Sequence, residues 1–266
     1  MTSQDSYETL QFNVVESVAT VTFARPGSLN ALNPRMADEL FEVAVRCDLD
    51  PDVRAVVVTG SGKAFMSGGD LGAFAEAGDG RDALIMHMAS RLHGAISHFN
   101  RMDAPVIAAV NGVAAGAGMS LALSLDLAVA ARSARFVMAY TRAGLAPDGG
   151  SSYFLPRLVG LRRAQELVLT NRELSADEAE FWGIVNEVVD DEHLGERVDR
   201  LARHLASGPT RTLGVAKRLM REGVDETLES QMEKEGREIA ASSVRPDGVE
   251  GIEAFLAKRP PKFAGQ

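Results

Sequence analysis

Two glycine-rich loops and one isolated carboxylate carry the chemistry open to this sequence. Lys63-Ala64-Phe65-Met66-Ser67-Gly68-Gly69-Asp70 and Asn111-Gly112-Val113-Ala114-Ala115-Gly116-Ala117-Gly118 each follow an apolar run, with residues small enough for main chain to approach a ligand closely. Each loop can present an unpaired backbone N–H. Two such groups converging on one oxygen stabilise a developing oxyanion, and the second loop opens a helix whose dipole adds to the effect. Either loop alone is equally explained by a tight turn. The carboxylate lies in Gly144-Leu145-Ala146-Pro147-Asp148-Gly149-Gly150-Ser151-Ser152. Asp148 can take up and return a proton, or it can cap the helix that starts beyond it, and spacing leaves both roles open.

Other chemistries are excluded by their missing partners. Gly60-Ser61-Gly62-Lys63 follows a strand, but Val57 breaks the Walker spacing and Phe65 breaks the dinucleotide spacing. His87, His93, His98, His193 and His204 form no zinc pattern, and Cys47 stands alone, so neither a metal nor a disulfide is expected. Gly118-Met119-Ser120-Leu121-Ala122 fails as a nucleophile elbow at Ala122. With 37 acidic against 28 basic residues and a formal charge of −9, the chain lacks the positive excess that nucleic acid demands. Met1 to Leu10 is polar and carries no secretory signal, which makes a cytoplasmic address the expectation. The charge-free run Ala104 to Leu125 is long enough to span a membrane, yet Pro105, Asn111 and its glycines point to a buried strand, turn and helix. No membrane partner is expected.

The elements that must position the loops follow from periodicity. Gln11 to Val15 and Val18 to Phe23 predict a hairpin, and Pro34 opens a helix running to Asp50-Pro51. Val53 to Thr59 and Val106 to Val110 predict strands buried on both faces, and Leu127 to Ala131 predicts a third strand. Between the first two, Ile85, Met88, Leu92, Ile96 and Phe99 keep a helical stripe. From Ser151 onward the pattern is nearly all helical, with a capping box at Ser175 to Glu178. An α/β core over residues 1–200 and a helical C-terminal region over 201–266 are expected.

Taken with Arg25-Pro26, Asn30-Ala31-Leu32, Ala64-Phe65, Ser67-Gly68-Gly69-Asp70-Leu71, Pro105 to Ala117, and Leu174-Ser175-Ala176 to Trp182-Gly183, the chain resembles the crotonase superfamily of enoyl-CoA hydratases and isomerases from about Phe12 to its tail. The resemblance implies a ClpP-like ββα spiral core with a helical trimerisation region, assembled as a homotrimer or dimer of trimers. It implies an acyl-CoA thioester substrate and no cofactor beyond the coenzyme A that the substrate carries. The thioester carbonyl would lie between the N–H groups of Gly69 and Ala117. Arg25 matches a position near the diphosphate, backbone of Lys63, Ala64 and Phe65 would meet the adenine, and Gly68, Gly69 and Asp70 would line the pantetheine path. Phe255 and Lys258 match a pair that reaches a neighbouring subunit's CoA.

Family hydratases add water with two glutamates, and those positions are Ser120 and Tyr140 here, neither able to act as a carboxylate base near neutral pH. Phe136 to Val159 instead resembles the phenylacetate-pathway ring-epoxide isomerases and Δ3,Δ2-enoyl-CoA isomerases, which carry a catalytic Asp at position 148. It also resembles the aromatic-CoA hydrolytic dehalogenases, in which that Asp attacks the ring and a His matching His93 activates water. Of the ring-clasping positions in that family, here Gly69, Ile85, Leu92 and Tyr140, only Tyr140 is aromatic. The resemblance therefore implies an acyl-CoA isomerase working through Asp148, with hydratase, dehalogenase, hydrolase and non-catalytic acyl-CoA binding as the alternatives.

Overall fold

β1 (Leu10–Val15) and β2 (Val18–Phe23) form the expected hairpin, with Val15 opposite Val18. Its turn residues Glu16 and Ser17 take φ of 49° and 64°, the primed geometry that follows strand twist. These coordinates are a computed structural model describing residues 7–266; Met1 to Ser6, part of the polar N-terminal stretch, lie outside the described residues. After the hairpin, α1 (Pro34–Leu49) is capped by Asn33, whose side chain accepts the Met36 N–H at 2.9 Å.

Three ββα turns follow. The first is β3 (Ala55–Gly60), β4 (Ala64–Met66), α2 (Leu71–Glu76) and α3 (Arg81–Arg101); the second is β5 (Val106–Val110), β6 (Val113–Ala115) and α4 (Ala117–Ser124); the third is β7 (Leu127–Ala131), β8 (Arg135–Val137) and α5 (Ser151–Val159). Each turn gives its first strand to a six-stranded sheet, completed by β10 (Glu187–Val189) in the order β1-β2-β3-β5-β7-β10, and its second to a four-stranded sheet, completed by β9 (Leu174–Ser175) in the order β4-β6-β8-β9. The chain is thus an α/β spiral, as the resemblance implied. The remaining elements are α6 (Leu161–Thr170), β9 (Leu174–Ser175), α7 (Ala176–Phe181), β10 (Glu187–Val189), α8 (Leu194–Ala206), α9 (Thr210–Glu222), α10 (Leu228–Ser243) and α11 (Pro246–Leu256).

The second strand of each turn corrects the sequence reading, which had loops or turns at 64–66 and 113–115. Strands three residues long are too short to show a period, and they are held by parallel pairing with one another. β9 and β10 likewise interrupt a stretch read as helical. The long strands are apolar on both faces because both faces are covered. Val56, Val58, Ala108 and Val110 join a core shared with the small sheet, α1 and α3, whereas Ala55, Val57, Ile107 and Ala109 pack with Leu194, Val198 and Ala202 of α8. Among the described residues no helix is long and apolar enough to cross a membrane, and the Ala104 to Leu125 run is the buried β5, β6 and α4.

α3, one wall of the site below, is anchored from behind. Lys217 Nζ donates to the Phe99 and Ala104 carbonyls, each at 3.0 Å, and to Asp126 at 2.8 Å, while Arg218 donates to the Arg101 carbonyl at 2.9 Å. Cations at a helix C-terminus meet both its orphan carbonyls and its dipole.

Candidate active site

The two glycine-rich loops touch main chain to main chain. Gly68 takes φ of +106°, and a Cβ there would stand 3.3 Å from the Ala115 carbonyl oxygen; one on Gly116, at φ +50°, would stand 3.5 Å from the Gly68 Cα. Both positions require glycine for conformation, and at Gly68 the space is tight as well. Leu32 brackets the next residue, its N–H donating to the Gly68 carbonyl at 2.7 Å and its carbonyl accepting from Asp70 at 2.8 Å. That pairing leaves the Gly69 N–H outside the ladder. Ala117 is the first residue of α4, where an N–H has no intrahelical acceptor. Neither amide donates to another described residue.

Gly68, Gly69, Gly116, Ala117, Tyr140 and Asp148 all line one cavity of about 450 Å³. Its other walls are mainly apolar: Leu71 and Phe74 from α2, Ile85, Met86, Met88 and Leu92 from α3, and Leu145 and Ala146 from the loop before α5. Two of these the sequence reading passed over. Phe74 lies with its ring against Gly69, its Cζ 2.8 Å from where a Cβ would be, and Met86 lines the opposite wall. α2 is too short to give Phe74 a periodic signal, and Met86 lies off the apolar stripe of α3.

Asp148 is not the cap of α5. The N-cap is Gly150 with no side-chain bond, and it is the Asp148 main-chain carbonyl that accepts, from the Ser151 N–H at 3.2 Å and its hydroxyl at 2.9 Å. The carboxylate turns instead to Tyr140, whose hydroxyl lies 2.7 Å from Oδ1 and 2.8 Å from Ser120 Oγ. A phenol has one hydrogen, and the carboxylate is the acceptor that benefits most, so Tyr140 donates to Asp148, while the Ser120 hydroxyl lies in reach of both the Tyr140 oxygen and the Gly116 carbonyl, the latter at 3.1 Å. Burial first, and then the Asp148 charge, pushes the Tyr140 phenol well above its ordinary range, which keeps that hydrogen in place. The two hydratase glutamate positions, Ser120 and Tyr140, therefore form a hydroxyl pair leading to Asp148.

His93, on α3, accepts the Gly149 N–H at Nε2 over 3.0 Å, and the same nitrogen stands 3.7 Å from Asp148 Oδ2. The expected CoA residues fall less tightly together. Arg25 pairs with Asp70 at 3.0 Å, and Asp70 caps α2 by accepting from Ala73 at 3.2 Å, so neither side chain lines the cavity. Lys63 is exposed; Ala64 and Phe65 are buried, their carbonyls accepting from the Asn30 amide at 2.8 and 3.3 Å. Phe255, 82% exposed on α11, and Lys258 do not reach the cavity of their own chain.

The profile of the enoyl-CoA hydratase/isomerase family matches residues 13–266. Among curated relatives, the 1,2-epoxyphenylacetyl-CoA isomerase of Escherichia coli (strain K12) is 41% identical, covering 96% of this chain and 97% of its own. The 4-chlorobenzoyl coenzyme A dehalogenase-2 of an Arthrobacter species is 37% identical, covering 96% and 93%. Of solved structures, a putative enoyl-CoA hydratase from Streptomyces coelicolor A3(2) superposes with a TM-score of 0.93 at 35% identity, over 98% of this chain and 96% of that one. Isomerase, dehalogenase and hydratase thus share one frame with this chain, which belongs to the enoyl-CoA hydratase/isomerase family.

Proposed function

We propose that the protein is an acyl-CoA isomerase that moves a double bond, or rearranges a ring epoxide, by proton transfer through Asp148. The single observation behind this reading is that Asp148, Gly69 and Ala117 line one cavity, the two main-chain N–H groups being unpaired among the described residues, with hydroxyls where two glutamates would be needed for hydration.

In the double-bond shift the thioester oxygen accepts from both amides. Asp148 removes a proton from the α-carbon; the C–H electron pair moves toward the carbonyl, and the oxygen takes up the charge as an enolate. The carboxylic acid so formed returns the proton to the γ-carbon, and the electron pair settles as the conjugated double bond. Nothing is oxidised or transferred, so no electron or group carrier enters the balance. One amide donor is worth about 3 kcal/mol of barrier in comparable oxyanion holes. A single carboxylate suffices because base and acid act in succession, whereas water addition needs a second group to activate the water.

Arg25, the 63–65 backbone and Gly68 are read as the path of the CoA moiety. α10, its C-cap Val244 and α11 expose Ile239, Val244, Phe255 and Leu256, an apolar surface in keeping with packing among three subunits, where Phe255 and Lys258 would approach a neighbour's CoA. The test is Asp148→Asn on a 3-enoyl-CoA, followed by the absorbance of the conjugated product. We expect turnover to fall by roughly 10²- to 10⁴-fold with thioester binding retained. Wild-type turnover in that variant would end the reading.

A further inference from the structure

We propose that His93 is a positioning residue that keeps Asp148 Oδ2 available to substrate, and that it does so only in its neutral form. The inference rests on the reading of Asp148 as the proton carrier.

A main-chain N–H can only donate, so the 3.0 Å contact from Gly149 fixes His93 Nε2 as an unprotonated acceptor and puts the ring hydrogen on Nδ1. The peptide after Asp148 is also wedged from the other side, because Gly149 takes φ of +62° and a Cβ there would stand 2.8 Å from Ser120 Cβ. α3 and α4 thus grip the same peptide unit. With Oδ1 held by Tyr140, Oδ2 receives no hydrogen bond from any described residue, and Asp148 lines the cavity.

Protonation at Nε2 removes the acceptor for Gly149 and sets an N–H toward Oδ2, 3.7 Å away. The two arrangements exclude each other, and the second ties up the oxygen that must reach the substrate. The same lone pair is also the one a water would need, so while it serves Gly149 it is not a base for hydrolysis. Asp82, in the first turn of α3, lines the same cavity, and the other charged groups around α3 are engaged elsewhere. On α1, Asp38 pairs with His87 and Arg91, and Asp48 pairs with His98. From α9, Lys217, Arg218 and Arg221 bond at the far end of α3, and Arg157 of α5 pairs with Asp225. α4 faces the site with Ser120, and Tyr140 is bonded to Asp148 itself.

The experiment is the pH profile of kcat/KM for double-bond shift in wild type, His93→Gln, His93→Ala and Asp148→Asn. A glutamine carboxamide oxygen can accept from Gly149 but gains no proton. The wild type should lose activity once acid protonates the imidazole. His93→Ala should lower kcat roughly ten- to hundred-fold with KM little changed, and Gln should recover most of that loss without the acid loss seen in the wild type. Superimposable wild-type and Gln profiles, or full kcat in the Ala variant, would overturn the proposal while an inert Asp148→Asn left the isomerase reading standing. An active Asp148→Asn would instead remove the reading on which the proposal rests.

Discussion

The Tyr140 hydroxyl donates to Asp148 Oδ1 at 2.7 Å, eight residues along the chain. This one bond leaves Oδ2 as the carboxylate oxygen without a hydrogen bond from a described residue, and on the proposed reading that is the oxygen left for chemistry.

Tyr140→Phe removes that donor and leaves the ring. The expected result is a fall in kcat of roughly ten- to hundred-fold, from one hydrogen bond to a charged group worth about 1.5 to 3 kcal/mol, with KM changed far less. Steady-state kinetics on a 3-enoyl thioester checks it; an unchanged kcat would mean the bond positions nothing.

Tyr7 is pushed up to about 12, chiefly by burial and then by Glu42, and Tyr140 is pushed higher. Neither should contribute tyrosinate absorbance at pH of about 10, where an ordinary phenol is half ionised. Titration of the folded protein at 295 nm, compared with its Tyr7→Phe and Tyr140→Phe variants, measures this directly. Loss of tyrosinate signal at pH 10 in either variant would contradict it.

Glu39 is buried and accepts from the Glu8 and Thr9 amides and the Thr9 hydroxyl, with Arg35 alongside. Desolvation raises its pKa, but the bonds from Thr9 and Glu8 outweigh it and the net shift is downward. A carboxyl lowered on folding contributes stability that is whole above its unfolded value, about 4.3, and is lost as pH falls through the folded value. Glu39→Gln should cost about 2 kcal/mol at pH 7 by urea unfolding, and the gap from wild type should close in acid. A gap that is constant with pH would contradict this account.

The fold was legible where strands were long enough to repeat. The hairpin, β3, β5, β7 and the stripe on α3 all follow from spacing, whereas β4, β6 and β8 are set by neighbours distant in sequence. The glycine loops could be read as amide-lined because small residues after a strand admit close approach, but only the Leu32 bracket shows why the Gly69 N–H is left over. Asp148 was legible as a carboxylate and ambiguous as a cap. That ambiguity is resolved by Gly150, Tyr140 and Ser120, and the bond from Gly149 to His93 spans 56 residues that no local pattern connects.

Gly118→Ala tests the junction between loop and helix. Its Cβ would fall 2.0 Å from the Met66 carbonyl oxygen, in backbone that cannot yield as a side chain does. A cost of about 3 kcal/mol or more, or failure to fold, is expected from thermal or urea unfolding. Wild-type stability would show that the loops are not in the close contact described.

The cavity offers an acyl group apolar walls and two carboxylates, Asp82 and Asp148, with no lysine or arginine in its lining. Thioesters with an apolar or aromatic acyl end should bind at least ten-fold more tightly than chain-matched ones ending in a carboxylate, since a buried charge without a partner is costly. Competition binding against a fluorescent acyl-CoA would decide it, and equal affinity would contradict the lining as drawn.

The account stands most directly on where the hydrogen goes. A 3-enoyl-CoA deuterated at the α-carbon, turned over in ordinary water and analysed by mass spectrometry, should give the conjugated thioester with part of its deuterium carried to the γ-carbon and no oxygen taken from the solvent. Asp148→Asn should bind the same thioester and leave it unchanged. Product in which the hydrogen moved equally well without Asp148, or which had gained oxygen from water, would contradict a carboxylate that shuttles a single proton along the acyl chain.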